Sequence, residues 1–199
     1  HRVMNARLPA AQRRTQLLQV ALETFSSTGY STTTMDLVAQ RAGVTKPVLY
    51  QHFASKHSLF LELLRDVGNR LESMVAEATA HIGTPRQMVK AGISAYFQFV
   101  FEHPLEFQLL FGDGVRSEAE FAALVAQVES EFADFIGQLI TIDNMTANDR
   151  MLLAHGIVGL AEATAHYVLA DLAGHNADDV ASRVADLLWS GLRGHPEVS

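Results

Sequence analysis

The stretch TTTMDLVAQRAGVTKPVLYQHFASK, residues 32–56, decides how this chain is read. It holds two short helical patterns with a glycine between them. Thr33 and Asp36 form a capping-box-like pair at the start of the first, and Ala39 is small where two helices must cross closely. Gly43, four residues on, admits the left-handed conformation of a tight turn. Thr45 is then an N-cap, with Lys46 and Pro47 in the first turn of the second helix. Val38, Val44 and Leu49 supply the apolar contacts that fix the angle between the two helices. Residues 35–53 therefore have helix-turn-helix anatomy.

Such a motif inserts the N-terminal end of its second helix into a DNA major groove. The residue types suit that task. Lysine can donate to guanine and glutamine can pair with adenine, so Lys46 and Gln51 are candidate base readers. Pro47 and Val48 offer apolar contact to a thymine methyl. Thr33, Thr34, Thr45, Tyr50, His52 and Lys56 suit phosphates, as do backbone amides at helix starts. Arg13 and Arg14, on a basic N-terminal arm, are expected to reach phosphate or the minor groove. Charge points the same way: residues 1–56 carry seven Lys/Arg against two acids, whereas residues 57–199 carry eight against twenty. A basic head on an acidic body, within a net charge of −7, reads as a polyanion-binding module joined to something else.

The rest of the 199 residues is helical in pattern, with no period-2 runs bounded by hairpin turns. Helices are expected at about 10–27, 35–42, 45–53, 55–82, 86–103, 105–112, 117–141, 146–173 and 177–193. The fold class is thus all-α, a three-helix head joined to a helical bundle. Residues 1–56 form the DNA-binding domain and residues 57–199 a second domain. The helix at 86–103 is apolar nearly all round and belongs mid-bundle. The stretch MLLAHGIVGLAEATAHYVLA, residues 151–170, matches a bilayer in length, but His155, Glu162 and His166 interrupt it. A buried helix is expected there, with no membrane role. The basic start HRVMNARLPA lacks the apolar run of a signal peptide, and cysteine is absent, so a cytoplasmic location is expected.

Residues 16–60, QLLQVALETFSSTGYSTTTMDLVAQRAGVTKPVLYQHFASKHSLF, resemble the DNA-binding domain of the TetR family of transcriptional regulators. Matching positions include Ala21, Phe25, Gly29, Tyr30, Thr33, Thr34, Val38, Ala39, Gly43, Val44, Leu49, Tyr50, Phe53, Lys56 and Leu59. Pro47 stands where the family often has glycine or serine, Gln51 where it often has an aromatic or histidine, and His57 replaces a common glutamate. The first two departures are expected to alter base preference. The resemblance implies a homodimer, a palindromic DNA operator, and a small-molecule effector bound in the helical body. It also implies repression relieved by that effector.

In the body, aromatic residues cluster around the 86–103 helix. Phe97, Phe101, Phe111 and Phe132 are the expected lining of an apolar ligand site, with Met74 as an adaptable wall and His155 as a polar contact. His155, Glu162 and His166 share one helix face, but the outer two are ~16 Å apart at about 1.5 Å per residue, too far for one metal ion. No metal or cofactor is expected. Leu160, Ala161, Ala165, Val184, Leu187, Leu188 and Gly191, on the last two helices, are expected at a dimer interface. An enzyme or ligand carrier on a helical bundle is the rival class. Phosphate-loop, H-E-x-x-H and nucleophile-elbow motifs are all missing, and a carrier leaves the basic head unexplained.

Overall fold

The structure, a computed structural model, describes residues 8–193; the expectation drawn from the first ten residues lies largely outside that range. Among the described residues there are ten α-helices, one 3-10 turn and no strand. The head comprises α1 (Ala10–Thr28), α2 (Met35–Ala42) and α3 (Lys46–His52). Leu17, Ala21, Leu22 and Phe25 form the buried stripe of α1, against which Val38, Ala39, Leu49 and Phe53 close a small core. Gly29 ends α1 at φ 80°, ψ 160°, and Gly43 ends α2 in the left-handed region at φ 65°, ψ 29°.

The start of α2 differs by one residue from the sequence reading. Thr34, not Thr33, is the N-cap, and its hydroxyl oxygen accepts from the Leu37 N–H at 3.2 Å. Thr33 is fully buried and its hydroxyl lies 2.7 Å from the Gly29 carbonyl and 2.6 Å from Thr28 Oγ1. Thr45 holds the cap position of α3 without a side-chain hydrogen bond.

The connecting helix α4 (Lys56–Thr79) starts in the head, capped by Ser55 accepting from Ser58 N–H at 3.0 Å, and runs into the body. The body adds α5 (Pro85–Glu102), α6 (Pro104–Phe111), the single turn α7 (Asp113–Arg116) and α8 (Ala119–Leu139). It ends with α9 (Ala147–Leu169), a 3-10 turn at Leu172–Gly174, and α10 (Ala177–Leu192). Neither α7 nor the separate 3-10 turn was expected, because a four-residue turn and a frayed helix end carry no periodic signal. As expected for its apolar surface, α5 is central: it packs against α4, α6, α9 and α10. Asn176 caps α10, accepting from the N–H groups of Asp178 and Asp179 at 2.9 and 3.2 Å.

One expectation about α9 needs correcting. By length and composition this helix could span a bilayer, yet only 28% of its apolar window is buried within the chain. It is not the buried core helix that its sequence suggested. One of its faces is packed on α8 and α5, and the other is left outside.

Candidate nucleic-acid interface and internal cavity

The outer surface of α3 follows from its two buried anchors. With Leu49 and Phe53 turned into the core, Pro47, Tyr50 and Gln51 fall together on the opposite face and are exposed. Thr45 and Lys46 are exposed at the helix start, and Val48 and His52 are half-buried at its flanks. Lys46 Nζ lies 3.1 Å from Asp36 Oδ1 of α2, with both side chains at least half exposed. Such a surface pair holds by ~0–1 kcal/mol, so the lysine is easily given up to a stronger anion. Thr34 sits exposed beside it at the start of α2.

Three other expected contacts are engaged inside the protein. Thr33 is buried, as described. Arg14 donates to the His52 carbonyl at 2.8 Å, pairs with Glu62 of α4, and lays its guanidinium 4.5 Å from the Phe53 ring centroid. It thereby ties α1 to the end of α3 and to α4. Lys56 donates to the Tyr30 carbonyl at 2.9 Å and sits 4.4 Å from the Tyr30 ring centroid. Both charges still add to the positive field of the head, while some of their N–H donors are engaged within it. Arg13 is half-buried and donates to Gln16 Oε1 at 2.7 Å.

Within the body lies a cavity of about 100 Å³, walled by α4, α5, α8, α9 and α10. Met88, Val89, Gly92, Ile93 and Tyr96 form one stripe of α5 along it, facing Phe132 and Ile136 of α8, Ile157 and Val158 of α9, and Trp189 of α10. Among the described residues no charged side chain lines it, and it reaches the surface beside the exposed Pro85 and Thr141. Of the residues expected at a ligand site, Phe132 is in the wall. Met74, Phe97, Phe101, Phe111 and His155 are elsewhere. Phe97 is fully buried, Phe111 packs 4.7 Å from Phe107, and His155 is exposed. The α5 stripe was missed because a helix apolar all round does not reveal which strip faces a void. Among the described residues no cluster of His, Cys, Asp or Glu is placed to hold a metal ion.

The residues expected at a dimer seam divide into three groups. Ala161, Ala165 and Val184 are buried inside the chain, Leu160 and Leu188 are half-buried, and Leu187 and Gly191 are exposed. Ala161 and Leu188 also border the cavity. The outward face of α9 instead carries Leu152, His155, Gly156, Gly159, Ala163 and Tyr167, all exposed.

Comparison with known proteins agrees with this architecture. Residues 17–63 match the family of bacterial regulatory proteins called tetR, and residues 85–191 match a tetracycline repressor-like C-terminal domain. The chain is 34% identical over 191 residues to the HTH-type transcriptional activator FasR of Mycolicibacterium smegmatis, covering 96% of this chain and 87% of that protein. A TetR-like transcriptional regulator from Rhodococcus sp. RHA1 superposes with a TM-score of 0.76 at 29% identity, covering 94% of this chain and all of the other. The regulator FadR of Bacillus subtilis, solved in complex with stearoyl-CoA, has the same fold with a TM-score of 0.77 at 16% identity, covering 89% and 98%. An outward helix-turn-helix, a cavity-bearing helical body and these matches have one reading: the chain belongs to the TetR family of transcriptional regulators, and is a DNA-binding regulator and not an enzyme.

Proposed function

We propose that the protein works as a homodimer that reads a palindromic operator with two copies of α3, and that an apolar small molecule in the cavity changes its hold on DNA. The observation that carries this reading is the joining of a polar, outward α3 to a body whose cavity has no charged wall. Thr34, Thr45 and Tyr50 are the phosphate contacts, and Lys46, Pro47, Val48 and Gln51 the base readers. Thr33, Arg14 and Lys56 hold that surface in place from behind.

The dimer reading rests on the outward face of α9 and its neighbour α10. Leu152, Tyr167 and Leu187 are 64%, 71% and 60% exposed, an unusual burden of apolar surface for a helix pair facing water. A side chain at Gly156, Gly159 or Gly191 would meet nothing within 4 Å of its own chain, so these positions leave room for another helix. Two helices from each copy would then make a four-helix seam around a twofold axis. This arrangement covers the face of α9 without recourse to a membrane. It also moves the seam outward from the set read off the sequence, keeping Leu187 and Gly191.

A narrow, unbranched apolar molecule suits the cavity, whose volume is below that of most drug-sized pockets. The FadR relative bound to stearoyl-CoA supports a chain-shaped ligand in this fold. Repression was the sign expected from the family at large. The relative that spans nearly the whole chain is named an activator, and we adopt activation on that ground. Linkage supplies the test. Trp189, the chain's sole tryptophan and part of the cavity wall, reports ligand binding by its fluorescence. Bound operator should shift the ligand's affinity by the same factor as ligand shifts the operator's, typically 5–150-fold. Identical ligand titrations with and without operator would contradict the proposal.

A further inference from the structure

Among the described residues, two buried side-chain nitrogen or oxygen atoms lack a hydrogen-bond partner: Arg70 Nε and the Tyr96 hydroxyl. Arg70 has ion-pair company, with Nε 3.2 Å from Asp66 Oδ2. Tyr96 has none of that kind, and it is the one whose ring belongs to the cavity wall. Its ring sits among other aromatic rings. The ring packs edge-on to Phe97 at 5.4 Å and to Phe107 at 6.0 Å, and lies 6.3 Å from Phe132, another wall residue. The residue is 3% exposed. A buried hydroxyl without a partner is disfavoured, and Phe would fill the same space without that penalty. The other polar residue deep in the wall, Thr79, already donates to the Val75 carbonyl at 2.8 Å.

We propose that Tyr96 is the polar anchor of the cavity, and that the molecule it selects is a short apolar chain bearing one uncharged oxygen acceptor, such as a ketone or ester carbonyl, and not a free carboxylate. This rests on the cavity being the ligand site. Two features set the chemistry. The hydroxyl stays protonated, and so a donor, because burial, then Glu162 and Glu129, push its pKa well above the usual tyrosine value. A carboxylate brought to the same place would be buried with no Lys, Arg or His among the wall residues to neutralise it, and with Glu129 and Glu162 on its flank, the latter already facing His166 Nε2 at 3.5 Å. A carbonyl brings the acceptor without the charge. The hydroxyl itself is sealed from solvent and from the void alike while the residue borders the cavity, so a ligand there meets it only after a small side-chain rotation.

The test titrates full-length protein with octan-2-one, octane and octanoate at neutral pH, following Trp189 fluorescence, and repeats it with Tyr96→Phe. Wild-type protein should bind the ketone more tightly than octane, and octanoate most weakly. Tyr96→Phe should reduce the ketone-over-octane preference about tenfold, the scale of one buried hydrogen bond. Its melting temperature without ligand should equal or exceed that of wild type, since an unpaired hydroxyl has been removed. A merely structural tyrosine would instead lower the melting temperature and leave the preference intact, and that result overturns the anchor. An octanoate affinity matching the ketone's also overturns it. If none of the three probes perturbs Trp189, the cavity fails as the ligand site and the anchor falls with it. If octane binds but the ketone has no advantage, the anchor alone falls.

Discussion

Gly29 and Gly43 bracket α2, and their backbones ask different things of a side chain. At φ 65°, ψ 29° Gly43 occupies the left-handed helical region, which other residues visit for ~1–2 kcal/mol. Gly29, at φ 80°, ψ 160°, lies in a region open essentially to glycine alone, where the cost reaches the top of a ~1–3 kcal/mol range. Neither position is sterically crowded, so backbone strain is the whole effect. Gly29→Ala should therefore destabilise the protein more than Gly43→Ala in urea unfolding; the reverse order would refute this account of the head. The sequence made Gly43 legible because a small residue between two capped helices has a recognised use. It did not separate Thr33 from Thr34, since three successive threonines offer the same hydroxyl and only contact with Thr28 and Gly29 chooses between them. Lys56 was read as a phosphate ligand for a similar reason. Its charge is visible in the sequence, but the Tyr30 carbonyl that takes one of its three N–H donors is supplied by a distant turn.

At the level of helices, side-chain caps fix several boundaries: Ser55, Thr84, Thr146 and Asn176 each accept a first-turn N–H. The cavity was not readable, because five helices build it and no single one carries its pattern. Phe97, Phe101 and Phe111 looked like pocket walls for being aromatic, yet aromatic rings fill volume as readily as they surround it. Close approach of helices is likewise tertiary. A Cβ on Gly68 of α4 would fall 2.7 Å from Val128 Cγ1 of α8, and a β-branched side chain in a helix has little freedom to yield. Gly68→Ala should cost about 1–3 kcal/mol of stability by overpacking. Pairing it with Val128→Ala should recover part of that loss in a double-mutant cycle, whereas strict additivity would show that the two helices do not meet there.

Across the whole molecule, α8 spans the two working parts. Phe132 and Ile136 border the cavity, while Phe121, near the other end, lies 4.7 Å from both Tyr30 and Phe60 at the root of the head. Beside it, Glu120 meets His57 Nε2 at 2.8 Å, and the His57 ring stacks on Phe121 at 5.2 Å. A ligand of the kind proposed, if it displaced α8, would act on the head through these rings as well as through α4. In the proposed dimer, release or tightening on DNA would then depend on how the two heads are spaced. The direct measurement is selection of bound duplexes from a random pool by the purified protein at low ionic strength. The account predicts a twofold-symmetric sequence with half-sites one helical turn or a multiple apart, ~10–10.5 base pairs per turn, whose ranking changes at one position per half-site in Gln51→Ala. Enrichment of no sequence, or of a single asymmetric half-site, would contradict it.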